Sequence, residues 1–157
     1  MNRRTLLVAA STLIPAGLLA ACQNGKAPSA SQVATDVNLI ATAMGPVVAA
    51  LATTPNVSPA LVTKAQGYLA IIQADAAKIA AATLNPPAGT VQEIVQAVQA
   101  LAGIVGTIPA LAPYAVVIQA AIALAPVMLA AVGVQVTGAA PGMTPTQARA
   151  ILAISVR

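Results

Sequence analysis

Chemistry in this 157-residue chain has few side chains to draw on: the carboxylates Asp36, Asp75 and Glu93, the phenols Tyr68 and Tyr114, and the thiol of Cys22, with no histidine anywhere. The commonest general base and metal ligand is therefore missing. Acid–base work by carboxylates needs two that converge. Asp36, Asp75 and Glu93 each read instead as a cap or a charge at or near a helix surface, so no catalytic residue is expected and the chain reads as a non-enzyme. A zinc or iron–sulfur site lacks ligands, so no metal is expected. No phosphate-cradling or dinucleotide glycine loop occurs, so no cofactor is expected. Tyr68 and Tyr114 fit the edge of a core, and Met44 and Met128 fit gaps within one better than a copper site. Only Cys22 keeps a functional reading.

Cys22 closes an N-terminal leader. Arg3 and Arg4 give a positive start, Thr5 to Leu19 is an apolar run softened by Ser11, Thr12 and Pro15, and small residues follow. That order is the pattern of a secretory signal, and the run is too short for a comfortable membrane span. The stretch Leu19-Ala20-Ala21-Cys22 resembles the lipobox of bacterial lipoprotein precursors. The resemblance covers the leader only, and no domain family accompanies it. It implies cleavage between Ala21 and Cys22, removal of residues 1–21, and acylation of Cys22 with palmitate-type chains. Each buried methylene adds about 0.8 kcal/mol of membrane attachment, so several chains hold firmly. The alternative is an ordinary signal peptide cut elsewhere. Gln23 stands where such proteins often carry an inner-membrane retention aspartate, so the resemblance favours the periplasmic face of the outer membrane in a Gram-negative-type envelope. Asn2-Arg3-Arg4-Thr5-Leu6-Leu7 is also similar to a twin-arginine export signal, without its usual Ser or Thr before the pair or its later lysine. Sec and twin-arginine routes both stay open.

Composition bounds the mature part. Length allows one domain behind the leader. About a quarter of the residues are alanine, Phe and Trp are absent, and charged residues are 6% of the chain, against about 25% in ordinary soluble domains. A core of such residues depends on close approach of helices rather than on large side chains. Beyond Ala21 there are five cations and three anions. Nucleic-acid binding would need clustered Lys and Arg with aromatic stacking partners, and neither is present. A single cysteine excludes an internal disulfide framework.

Periodicity supplies the elements. The expected fold is all-α: four main helices and a short C-terminal one over residues 32–157, behind a polar tether over 22–31. The first helix is expected over about 31–53, with Gly45-Pro46 kinking or interrupting it. The second runs over about 59–83 from a Ser58 cap, with a stripe of Leu61, Ala65, Tyr68, Ile72, Ala76 and Ile79. Asp75 and Lys78 read as a surface pair. The third opens with the capping-box pattern Thr90-Val91-Gln92-Glu93. The fourth spans about 113–134, apolar nearly all round. Thr144-Pro145-Thr146-Gln147 starts the last, with Arg149 in its body and Arg157 at its end.

No charged residue occurs from Ile94 to Ala148. Three accounts compete. The stretch could be bundle core with surfaces coated by alanine and by Gln92, Gln96, Gln99, Gln119, Gln135 and Gln147. Residues 110–134 could insert in a membrane, although Gln119 and Pro126 erode the gain. Or small residues such as Gly103, Gly106, Ala123 and Ala130 could pack against a protein partner or a second copy. The expected function is structural or interaction-based at the cell envelope, with the membrane as partner through the lipid anchor. The alternative is a membrane-active helical protein, such as a pore or phage-type lysis component. A carrier of apolar ligands would want large aliphatic walls, which alanine richness does not favour.

Overall fold

Caps and prolines set most of the helix limits. The computed structural model describes residues 28–82, 86–135 and 142–156. Ser29 accepts from the Gln32 N–H at 3.2 Å and starts α1, Ala30–Thr53. Ser58 accepts from the Leu61 N–H at 3.3 Å, and Pro59 takes the first position of α2, Pro59–Ala81, where a missing N–H costs nothing. Next come α3, Ala88–Gly106, a six-residue 3-10 turn over Pro109–Tyr114, and α4, Ala115–Ala131. Last comes α5, Pro145–Ser155, whose Thr144 and Gln147 form the reciprocal capping box. The all-α fold of four main helices and a short fifth is therefore observed, without a strand among the described residues.

Three local expectations are corrected. Of the two outcomes expected at Gly45-Pro46, a kink or an interruption, the interruption does not occur, and α1 runs on through Pro46. Pro46 removes one backbone bond, but Ala43, Met44, Val47 and Val48 around it are all buried, and that packing holds the helix together. Thr90 does not cap α3. The helix begins two residues earlier, with Pro87 as an N-cap that offers no side-chain bond, and the Val91 N–H reaches the Pro87 carbonyl at 3.3 Å. Each added helical residue gains a backbone bond, and nothing after Pro87 stops the extension. The fourth helix is shorter at both ends than periodicity suggests. Pro109 and Pro113 tighten its approach into the 3-10 turn. Gly133, at φ +78°, then terminates it: its N–H bonds the Ala130 carbonyl at 3.1 Å, and the Val134 N–H bonds that of Leu129 at 2.9 Å. That pair of hydrogen bonds is the Schellman ending, which needs a left-handed residue.

Short turns make successive helices antiparallel. α1 packs on α2, α2 on α3, α3 on α4 and α4 back on α1, with α5 laid against α4 and α1. Ile40, Met44, Leu51, Ile72, Ile94, Leu101, Leu111, Leu124, Met128 and Leu152 bring all five helices and the turn to one core, each under 2% exposed. Ala120, Ala121, Ala123 and Ala125 are buried along α4, which is how a core without Phe or Trp closes. The expected stripe on α2 holds, with Ala65, Ile72 and Ile79 buried and Leu61, Tyr68 and Ala76 packed at the edge. Gln92, Gln96, Gln99, Gln119, Gln135 and Gln147 are all exposed. Among the described residues, the uncharged stretch is built into the bundle, with Gln96, Gln99, Gln119, Gln135 and Gln147 on its surface.

Candidate functional site

The carboxylates of α1 and α2 depart furthest from expectation. Asp36 and Asp75 are not surface charges: they are 0% and 1% exposed. Both sit on the apolar stripes of their helices. Asp36 lies three residues after Val33 and four before Ile40, and Asp75 three after Ile72 and four before Ile79. That i, i+3, i+4 placement was the available sign of burial, since residues at those steps share a helix face.

Asp36 is held from α5. Arg149 Nε donates to Asp36 Oδ1 and Nη2 to Oδ2, both at 2.7 Å, while Gln32 Nε2 donates to Oδ1 at 3.1 Å. The paired, parallel bonds are the planar match between guanidinium and carboxylate. The Arg149 side chain remains 22% exposed. Its pKa rises above the ordinary arginine value because of the hydrogen bond to Asp36, with burial opposing and the charge of Asp36 reinforcing. Each oxygen of Asp36 accepts a bond, and none of the residue is open to solvent. Its geometry suits joining α1 to α5, not taking a proton from a substrate.

Asp75 is held within α2. Lys78 Nζ donates to its Oδ1 at 2.6 Å, and its Oδ2 is buried without a hydrogen-bond partner. The expected pair exists, but only its lysine is on the surface, at 62% exposure against 2% for the aspartate side chain. The Lys78 pKa is raised, first by that hydrogen bond, then by the Asp75 charge and, more weakly, by Glu93. Tyr68 and Tyr114 lie at the core edge, as their amphipathic character suggests. Among the described residues no three of His, Cys, Asp and Glu gather to hold a metal ion.

Two grooves remain. One, of about 330 Å³, lies between α3, the 3-10 turn and α4, with Val105, Ile108, Leu111, Ile118 and Ile122 in its walls and Gln119 as its polar side chain. The other, of about 470 Å³, lies between α1 and α2 and is lined by Asn38, Thr42 and Gln73 among alanines and Gly45. The first has the aliphatic walls that composition did not suggest, but one amide is little with which to orient a ligand. Neither groove contains a charged side chain.

The fold and its polar contacts define an up-and-down helical bundle closed by one buried ion pair. No protein family matches the sequence, and no curated protein or solved structure matches it. Cys22, Ala21, the rest of the leader and most of the tether lie outside the described residues.

Proposed function

We propose that this chain is an exported bacterial lipoprotein, anchored through acylated Cys22 at the periplasmic face of the outer membrane, whose helical bundle serves a structural or protein-interaction role. The observation that carries the reading is Leu19-Ala20-Ala21-Cys22 closing a basic and apolar leader, at the only cysteine in the chain. Two further features support it. Both buried carboxylates are committed to ion pairs inside the bundle, so no catalytic role is assigned to either. α1 begins at Ala30, so the chain from Cys22 to the bundle spans at most about 28 Å when fully extended. An anchor at Cys22 would keep the domain close to the lipid.

Intact mass and membrane fractionation of the full-length protein beside Cys22→Ala test this. The expected result is a new N-terminus at Cys22 with an acyl mass increment, and release of the variant from membranes. An unmodified Cys22 in the wild-type protein overturns the proposal.

The membrane-active reading has one observation in its favour: Ala30–Thr53 and Pro109–Ala131 are long and apolar enough to cross a bilayer. Half of each apolar window is buried inside the bundle. Insertion would strip α4 from α1, α3 and α5, and would place Gln119 and Pro126 in hydrocarbon. The folded bundle therefore supports the anchored reading better.

A further inference from the structure

α5 is attached differently from α1, α3 and α4. It has eleven residues, of which only Ala148 and Leu152 are fully buried. α1, α3 and α4 each bury a long apolar row. Its last turn is hardly packed, with Ile154 at 72% and Val156 at 41% exposure. It carries its own complete capping box, so its first turn is satisfied without help from the bundle. Across the interface it contributes Ala148 and Leu152, with Ile151 at the edge, and Arg149, whose guanidinium meets a carboxylate buried in α1. A helix this short is marginal alone in water, so it persists where its docking contacts hold it.

We propose that α5 is a detachable clasp: the Asp36–Arg149 pair holds it over the α1–α4 seam, and loss of that pair lets α5 leave as a unit while α1–α4 stay folded. The surface it uncovers belongs in part to α4. That helix and its leading turn form the most apolar segment among the described helices, with mean hydropathy 2.1 over its best window and no charged side chain. The clasp thus controls whether an uncharged helix is covered. The proposal goes beyond the anchor reading and does not depend on it. It requires only that the α5 contacts be separable from the common core, as in other proteins where parts of a structure open below the global unfolding free energy.

Hydrogen exchange of the full-length protein, followed by peptide across a urea series, tests it with Arg149→Gln beside wild type. In wild type, α5 amides are expected to exchange faster than those of α2 and α3 and with weaker urea dependence, as for a local opening. In Arg149→Gln the exchange of α5 is expected to rise by about tenfold or more while keeping its weaker urea dependence. Leu101→Ala, whose contacts lie in the part that stays folded when α5 opens, is expected to accelerate α2 and α3 while leaving α5 little changed. Exchange of α5 at the same rate and urea dependence as α2 and α3 in wild type overturns the clasp. So does an acceleration of α5 equal to that of α2 and α3 in Leu101→Ala.

Discussion

Asp36 is fully enclosed while Arg149 keeps 22% of its side chain exposed, and that asymmetry decides how the pair responds to substitution. Removing Arg149 leaves a buried carboxylate with Gln32 alone. Removing Asp36 leaves a guanidinium that water can still reach. Arg149→Met should therefore cost about 3 kcal/mol or more, as expected for a buried charge stripped of its partner. Asp36→Leu should cost less, and the double variant should recover most of the loss of Arg149→Met. Urea unfolding of the four proteins measures the cycle; equal costs for both single changes would mean that exposure does not set the penalty. The second pair differs. Lys78 already faces water, and Asp75 Oδ2 is buried unbonded, so Asp75→Asn should be neutral or stabilising by up to about 1 kcal/mol near pH 7. The same pair gives an alkaline signature. The folded pKa of Lys78 is raised above its ordinary value of 10.5. Its stabilisation is thus fully present below the unfolded value and is lost as pH rises through the folded one. Stability should decline through that range in wild type and decline less in Asp75→Asn, which pH-dependent urea melts would show.

Caps make their own predictions, because of the three helix-start patterns read at Ser58, Thr90 and Thr144 the fold uses Ser58 and Thr144 as caps, beside Ser29. Ser58→Ala and Thr144→Ala should each cost about 1 kcal/mol, since their oxygens bond orphan N–H groups. Thr90→Ala should cost less than either, because Thr90 lies inside α3 and Pro87 stands at its start. Thermal melts of the three variants separate these outcomes. The contrast shows what the chain made legible. Apolar stripes at steps of three and four marked out the helices, and Ser58 and Thr144 act through neighbours within three residues. Glu93 three residues after Thr90 looked equally local, but a longer helix overrode it. The bond between Asp36 and Arg149 was not legible, because it joins positions 113 residues apart and only the fold brings them together. The burial of Asp36 and Asp75 was readable from their places on apolar stripes, and their charge pointed the other way.

Charge is also arranged along the whole bundle. The described residues hold three cations and three anions. Five of these six charges, all but Lys64, lie in the halves of their helices nearest the start of α1. Four are already paired with each other. Lys64 is the one charge in the opposite halves of the described helices, and exposed glutamines lie in both halves, so net charge supplies little of the polar surface. Of the four exposed large aliphatics, Ile71 on α2 and Val116 on α4 stand singly, and Ile154 and Val156 lie together at the end of α5. Glutamine then becomes the critical surface residue. A fragment of residues 23–157 is expected to stay in solution without detergent and to lose its helical signal in one cooperative transition on heating. Replacing Gln92, Gln96 and Gln99 together by leucine should leave that transition near its original temperature, because all three are exposed on α3, while driving self-association visible by sedimentation. A wild-type fragment that needed detergent would instead mean that the apolar helices take lipid as their neighbour. The amide coat would then be no substitute for charge.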